Sequence, residues 1–247
     1  MNGFVILGAT GAVGSALAGR LHRTGHSVFL AGRNSERLNE LSTELDCDST
    51  CLDAHQPGSI ATCFEAAESS LGQITGVANC IGSLYLKPAH ATSDADFLDV
   101  LQTNLCSAFE TVRASHSAMR KSGGSVVLVS SAAASMGMPN HEAIAAAKAG
   151  VEGLMRSAAA SYAARGIRIN AVAPGLTKSN MTRQIWESEQ ASAASEQMHA
   201  LGRLGDPDEV AAMIQWLLLD ESSWITGQVF GVDGGLSSVL GRQKVKR

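Results

Sequence analysis

Short apolar runs rich in Val and Ile alternate along the chain with longer segments in which apolar residues recur every three to four positions. The short runs predict β-strands at 4–7, 27–31, 74–80, 124–130, 167–173 and 228–232, with a weaker strand at 49–53. The longer segments predict helices, and strands that alternate with helices form βαβ units. The pattern therefore predicts an α/β fold with a parallel sheet.

Capping residues mark several helix boundaries. Ser93 is followed three positions later by Asp96, which is typical of a helix start. Segment 206–209 combines a capping Asp with a Pro at the first helical position, and the Arg-Gly pair at 165–166 predicts a helix end. Residues 176–205 lack a regular pattern, and irregular segments of this length are often lids or binding loops.

The length of 247 residues suits one large domain or two small ones, since domains usually hold roughly 150 residues. No repeat, linker or low-complexity tract divides the chain, so we predict a single domain over residues 1–241. The 25 glycines and the 4% aromatic content favour close packing of helices on a sheet. Residues 242–247 carry four basic side chains and are expected to form a solvated tail.

Charge and cysteine content narrow the function classes. The formal net charge of −4 argues against nucleic acid as a partner, because nucleic-acid binders usually present a basic face. The five cysteines form neither C-x-x-C pairs nor sets with His at zinc spacing, so we expect reduced thiols in a cytoplasmic protein and no metal site. The sequence runs directly into the first strand without a signal segment, and it contains no uninterrupted run of about 18 apolar residues. No membrane partner is therefore expected.

A glycine-rich turn joins the first strand to a helical segment that runs to about Thr24. Glycines let the backbone approach a pyrophosphate, and the helix N-terminus supplies free N–H donors and a favourable dipole. The placement of this turn between a strand and a helix predicts a dinucleotide site. Its residues are Gly8, Thr10, Gly11, Val13 and Gly14.

The end of the second strand indicates which dinucleotide binds. An acid at this place holds the adenosine ribose hydroxyls, whereas an arginine accommodates a 2′-phosphate. The strand ends at Arg33-Asn34 without a carboxylate, which favours NADP(H) over NAD(H). If Arg33 only caps a surface turn, no preference between the two cofactors is expected.

These features resemble the short-chain dehydrogenase/reductase family, and the resemblance covers essentially the whole chain. The matching segments are Asp53, Asn79-Cys80-Ile81-Gly82, Asn104-Leu105-Cys106, Ser130-Ser131, Lys148-Ala149-Gly150, and Asn170 to Gly175 followed by Ser179. The resemblance implies a Rossmann-like single domain with a doubly wound, seven-stranded parallel sheet. It also implies a lid at 176–205 and a homo-oligomer, either a dimer or a tetramer.

The resemblance implies a role for each matching residue. Asp53 would contact the adenine, Asn79 and Lys148 the riboses, and Gly82 would belong to the same cofactor site. The nicotinamide would be flanked by Pro174, Gly175 and Ser179. Asn104, Ser131 and Lys148 would be catalytic, with Ser131 polarising the substrate oxygen.

One position departs from the family pattern. The family carries a tyrosine four residues before the lysine, on the same helix face, and this tyrosine gives a proton to the oxygen that receives charge. Here that position is Ile144, and Ser131 lies thirteen residues before it, as the family's spacing requires. The resemblance therefore implies an active site without its usual proton donor.

Three residues are candidates for the missing donor. His141 lies seven residues before Lys148, hence on the same helix face, although a histidine at a helix start is often only a surface residue. Tyr85 follows Gly82 in the loop above the fourth strand and either reaches the nicotinamide pocket or packs on the lid. The last tyrosine, Tyr162, would lie roughly 21 Å from Lys148 along the helix, so we predict a structural role for it.

Two function classes remain open. The first is an NADP(H)-dependent oxidoreductase that reduces a carbonyl or enoyl group of a small apolar substrate, with charge stabilised by Ser131 and an ordered water or Lys148. Four apolar lid residues suggest an apolar substrate, although apolar lid residues serve packing or oligomer contacts about as often: Met181, Ile185, Trp186 and Met198. The second is a non-catalytic NADP(H)-binding partner subunit or redox sensor.

Overall fold

A computed structural model describes residues 2–240 of the chain; the predicted tail at 242–247 lies outside these residues. Seven parallel strands form one sheet in the order β3-β2-β1-β4-β5-β6-β7. Their bounds are Gly3–Leu7 (β1), Ser27–Gly32 (β2), Ser49–Cys51 (β3), Ile74–Asn79 (β4), Gly124–Val129 (β5), Ile167–Pro174 (β6) and Val229–Val232 (β7). The predicted doubly wound α/β fold is confirmed.

Helices cover both faces of the sheet. Their bounds are Ala12–Arg23 (α1), Ser35–Glu44 (α2), Ser59–Leu71 (α3), Asp94–Leu101 (α4), Ser107–Met119 (α5), Glu142–Tyr162 (α6), Arg183–Trp186 (α7), Glu189–Met198 (α8) and Pro207–Leu218 (α9). Helices α1, α2 and α9 pack on one face, and α3, α5 and α6 pack on the other. Across residues 2–240, no helix combines the length and apolar character needed to cross a bilayer.

The alternation of side chains in β1 shows how the sheet supplies two cores. Phe4 and Ile6 face α1 and α9, whereas Val5 and Leu7 face the opposite helix layer, and all four are fully buried. Burial on both faces explains why this strand is a continuous apolar run in the sequence. Because all seven strands are parallel, their carboxyl ends lie along one edge of the sheet, where the candidate site residues gather.

The capping signals place three helix boundaries as the sequence predicts. The Ser93 hydroxyl accepts a hydrogen bond from the Asp96 N–H at 3.1 Å, directly before α4. Asp206 and Glu209 form a capping box at the start of α9. Beyond α6, Gly166 has a φ of 71°, a left-handed conformation that glycine adopts without strain.

The prediction that residues 176–205 are irregular is wrong in part. This segment contains the short helix α7 and the ten-residue helix α8, which begins after the capping residue Ser188. No residue of α8 is buried, so its sequence carries no apolar stripe with helical period. Local capping and good helix formers such as Ala and Glu specify α8 instead.

Candidate active site

The glycine-rich turn after β1 is closed so tightly that two of its positions exclude a side chain. Gly8 has a φ of 77°, and a Cβ there would lie 2.7 Å from the backbone carbon of Cys80. A Cβ on Gly14 would lie 2.4 Å from the carbonyl oxygen of Gly8. Both distances are far below van der Waals contact, so glycine is required for the turn to approach the end of β4.

The N-terminus of α1 opens onto this turn. Gly11 is the N-cap residue, and no side chain within the described part of the chain caps the helix. The first N–H groups of a helix have no partner inside the helix, and the helix dipole favours an anion there. Thr10 packs against the end of β2, close to Gly32, and Val13 is half-buried against the core. The turn over residues 8–14 and the N-terminus of α1, together called the cradle, thus fit a pyrophosphate.

The ends of β2 and β3 place three predicted cofactor residues at the same sheet edge. The Arg33 side chain is exposed, and no carboxylate among residues 2–240 forms an ion pair with it. Asn34 caps α2, since its Oδ1 accepts a hydrogen bond from the Arg37 N–H at 2.9 Å. Asp53 Oδ1 accepts from the His55 N–H at 3.0 Å.

Asn79, the last residue of β4, is buried and has structural hydrogen bonds. Its Nδ2 donates to Thr111 Oγ1 at 3.0 Å, and its Oδ1 accepts from the Ile81 N–H at 2.9 Å. These bonds fix the turn that leads from β4 to Gly82. Any contact of Asn79 with a ribose must therefore come from its backbone or from a rearranged side chain.

Asn104 lies in a π-helical segment, Gln102–Cys106, between α4 and α5. Such segments are rare and often occur at functional sites. The Asn104 side chain is 1% exposed: its Nδ2 donates to Val100 O and to Ser83 Oγ, each at 3.0 Å, while its Oδ1 accepts from the Ser83 N–H at 3.2 Å. Asn104 is thus held from two sides.

Lys148 is buried on α6 and points to the end of β5. Its Nζ donates to the carbonyl oxygen of Val129 at 2.8 Å. Burial lowers the pKa of Lys148 to about 8, because removal from water disfavours the charged ammonium. A Cβ placed on Gly82 would lie 3.2 Å from Asn104 Oδ1 and 3.6 Å from Lys148 Nζ, so these three residues meet.

Ser131 follows β5 and begins a short 3₁₀ turn over Ala132–Ala134. Its Oγ accepts a hydrogen bond from the Ala133 N–H at 3.2 Å. The hydroxyl hydrogen remains available to donate, and the side chain is half-buried. Ser131 can therefore donate to an oxygen at the carboxyl edge of the sheet.

Ile144 is 3% exposed and packs in a small apolar cluster between α4 and α6. Val100 and Ala147 belong to this cluster, and the ring of Tyr85 packs against it. The Tyr85 hydroxyl donates to Asp96 Oδ2 at 2.9 Å. Tyr85 is thus near the candidate site, but its hydroxyl is directed to a carboxylate on α4.

The other two candidate donors lie at the two ends of α6. His141 is the N-cap residue, and its Nδ1 lies 2.7 Å from the carbonyl oxygen of Pro139. The described contacts do not bring His141 together with Lys148. Tyr162 ends the helix and stacks on His116 with ring centroids 4.7 Å apart, which agrees with a structural role.

The segment after β6 carries the remaining predicted cofactor residues. Pro174 ends the strand, and the Gly175 N–H donates to Val232 O at 3.1 Å. A Cβ on Gly175 would lie 2.7 Å from Nε2 of the buried His199. Ser179 Oγ lies 3.0 Å from Thr182 Oγ1. A cavity of about 500 Å³ next to Gly175 extends toward the start of α9 rather than toward Lys148.

The structure adds residues that sequence reasoning did not identify. Ser83 holds Asn104, Thr111 holds Asn79, and the Val129 carbonyl holds Lys148. Ser83 directly follows the motif that ends at Gly82, which was a usable signal. The other two contacts join residues 32 and 19 positions apart, and no motif marks them.

Comparisons with known proteins agree with this architecture. The family model described as Enoyl-(Acyl carrier protein) reductase matches residues 8–237. Carbonyl reductase family member 4 of Danio rerio is 33% identical over 243 residues, which cover 96% of this chain and 98% of that protein.

Two solved structures have the same fold. A short-chain type dehydrogenase/reductase from Mycobacterium ulcerans is 28% identical with a TM-score of 0.93, and the match covers 97% of this chain and 91% of that one. A variant of actinorhodin polyketide ketoreductase, solved with NADPH, is 26% identical with a TM-score of 0.91, covering 96% and 98%. This chain belongs to the short-chain dehydrogenase/reductase family.

Proposed function

We propose that the protein is an NADP(H)-dependent oxidoreductase that reduces a carbonyl or enoyl group of a small apolar substrate. The observation that carries this proposal is the convergence of Asn104, Lys148 and Gly82 at the edge of the sheet that also holds the glycine cradle. A protein that only needed a stable fold would gain nothing from a buried lysine, because its desolvation is costly.

The residues that would contact the cofactor come from several elements of the fold. Gly8, Gly11 and Gly14 would hold the pyrophosphate against the N-terminus of α1, because a larger residue at Gly8 or Gly14 would collide with backbone. Arg33 would bind the 2′-phosphate, and Asp53 the adenine. Bound NADPH supplies a hydride.

The remaining residues manage charge and protons at the substrate oxygen. Ser131 donates a hydrogen bond to this oxygen, and the Lys148 ammonium stabilises the developing negative charge, directly or through a water. Lys148 has a pKa of about 8, so at neutral pH it is mostly protonated and is a stronger acid than an ordinary lysine. Tyr85 is a poorer donor, because its hydrogen is directed to Asp96.

The proposal is tested with purified protein, NADPH and a panel of ketones, aldehydes and enoyl thioesters. We expect oxidation of NADPH with at least one class, and loss of this activity in Lys148→Met. Tight NADPH binding without hydride transfer to any compound contradicts the catalytic proposal.

Position 144 allows a sharper test. In the family pattern a tyrosine stands there, and we propose that the isoleucine is the reason for an atypical site. Ile144→Tyr should raise ketone reduction, whereas Ile144→Phe introduces the same ring without the hydroxyl. Both variants overfill the cluster around Val100 and Tyr85 at a cost of about 1–3 kcal/mol in unfolding free energy. If ketone reduction rises in Ile144→Tyr but not in Ile144→Phe, the hydroxyl is responsible. If it rises in neither variant, the surrounding groups are not arranged for ketone reduction.

The second candidate function is a non-catalytic NADP(H)-binding subunit or redox sensor. It is favoured by the burial of Ile144, which presents no proton donor beside Lys148. In that case NADPH should bind without hydride transfer to any compound of the activity panel, and Ile144→Tyr should leave the protein inactive. Equilibrium binding of NADPH together with the activity panel decides between the candidates.

We also propose that the protein acts as a cytoplasmic homo-oligomer. The five cysteines are unpaired thiols, which suits a reducing compartment. Trp224 is 99% exposed and Leu201 is 68% exposed, and we propose that a second copy of the chain covers them. Light scattering after size-exclusion chromatography should give a dimer or a tetramer, and a monomer at micromolar concentration contradicts this proposal.

A further inference from the structure

The end of β5 is attached to α6 by side-chain hydrogen bonds that run in both directions. Lys148 Nζ donates from the helix to the Val129 carbonyl at 2.8 Å. Ser130 Oγ donates from the strand end to Glu152 Oε1 on the helix, also at 2.8 Å, while the Lys148 carbonyl oxygen is a more distant acceptor at 3.4 Å. Lys148 and Glu152 are four residues apart, so the two attachments lie on one helix face, one turn from each other.

Glu152 is unusually enclosed for a carboxylate. Its side chain is only 12% exposed, and its nearest cation, Arg156, lies 3.7 Å away and is 56% exposed. Burying a carboxylate is costly unless hydrogen bonds satisfy it, so the Ser130 hydroxyl is an important partner. Ser130 is itself 3% exposed, and its N–H donates to Val172 O at 2.7 Å.

Ser130 lies between two residues of the candidate site. The preceding carbonyl, from Val129, holds Lys148, and the following residue, Ser131, supplies the hydroxyl for the substrate oxygen. Rotation about the backbone of Ser130 would therefore displace both groups at once. A bond that fixes the Ser130 side chain limits this rotation.

We propose that Glu152 is a positioning residue, which holds the Ser130 side chain and thereby orients the Ser131 hydroxyl and the Val129 carbonyl. Glu152 does not reach the reacting atoms itself. When Lys148 turns from the Val129 carbonyl toward a ribose, the Glu152 attachment keeps the strand end in place. This proposal rests on the proposed function of Ser131 and Lys148.

The test compares two variants of similar side-chain length. Glu152→Gln keeps an oxygen that accepts from Ser130, whereas Glu152→Met removes the acceptor. We expect Glu152→Met to lower kcat by roughly 10- to 100-fold, as small misplacements of catalytic groups do. The Kd of NADPH should change by less than about twofold, because the cradle and Arg33 are elsewhere. Glu152→Gln should restore most of kcat.

Arg156→Ala is the matched control. It removes the ion pair of Glu152 but leaves the bond from Ser130, so kcat should stay at the wild-type value. If Arg156→Ala lowers kcat as much as Glu152→Met does, the ion pair and not the Ser130 bond is responsible, and the proposal is overturned. Ser130→Ala removes this bond from the strand side together with the longer contact to the Lys148 carbonyl, so it should lower kcat at least as much as Glu152→Met does.

A measurement without turnover separates this proposal from the proposed function. Amide hydrogen exchange of residues 129–134 should be faster in Glu152→Met than in wild type, and the exchange of β1 should be unchanged. If the wild-type protein reduces no compound, the proposed function fails, and the exchange result still decides the attachment. Unchanged exchange in Glu152→Met overturns the positioning role.

Discussion

Lys148 is the residue at which the requirements of stability and function oppose each other most clearly. It is 6% exposed and donates to a single described acceptor, the Val129 carbonyl. Burial lowers its pKa to about 8, so the folded chain bears the cost of an enclosed charge at neutral pH. A group that is costly in the free protein can be compensated when a ligand supplies further acceptors.

This opposition predicts a pH dependence for the protein without cofactor. Below pH 8, Lys148 is protonated in both the folded and the unfolded chain, and its burial cost is constant. Between pH 8 and about 10.5 the unfolded chain binds more protons, so the unfolding free energy of wild type should rise relative to Lys148→Met, by roughly 3 kcal/mol in total. Thermal or urea unfolding of both proteins from pH 6 to 10.5 measures the difference. A difference independent of pH contradicts the lowered pKa of Lys148.

At the scale of elements, helix α1 contains two glycines whose steric surroundings differ. Gly14 faces the turn after β1, where a Cβ would lie 2.4 Å from Gly8 O. Gly19 lies five residues further along the same helix, and a Cβ there would meet only the flexible end of Arg23 at 3.4 Å. The first glycine permits the close approach that the cradle needs, and the second has no such constraint.

The two glycines provide a matched pair of substitutions. Gly14→Ala should weaken NADPH binding at least tenfold and destabilise the fold by about 1–3 kcal/mol, because backbone must move to admit the methyl group. Gly19→Ala should stabilise the protein by about 0.5–1 kcal/mol and leave NADPH affinity unchanged, since alanine is the better helix former. Equilibrium unfolding and fluorescence titration measure both effects. Equal behaviour of the two variants would show that the turn yields more easily than its geometry indicates.

The elements also show which parts of the architecture could be predicted from the sequence. Strands buried on both faces leave continuous apolar runs, and the caps at Ser93 and Asp206 are local signals, so these were predictable. Helix α8 was not, because it buries no residue and has no apolar stripe. The bond between Ser130 and Glu152 joins residues 22 positions apart, and only the packing of α6 on β5 brings them together.

At the scale of the whole molecule, the candidate cofactor residues come from elements spread over the chain. The cradle follows β1, Arg33 follows β2, Asp53 follows β3 and Lys148 belongs to α6. A ligand that contacts all of them binds only the folded chain, and it stabilises the fold by about 2.7 kcal/mol at a concentration of 100 times its Kd. The thermal shift that a cofactor produces is therefore a measure of its affinity.

This linkage predicts a selective thermal shift. NADPH should stabilise wild type more than NADH at the same concentration, because the exposed Arg33 has no carboxylate partner within residues 2–240 and can pair with the 2′-phosphate. Arg33→Ala should lose this preference by weakening NADPH roughly 10- to 100-fold, the value of a charge-assisted hydrogen bond, and leave NADH unaffected. Arg165→Ala, an exposed arginine after α6, should behave as wild type. Equal stabilisation of wild type by the two cofactors would mean that Arg33 only ends the turn after β2, and that the adenosine end of the site does not distinguish them.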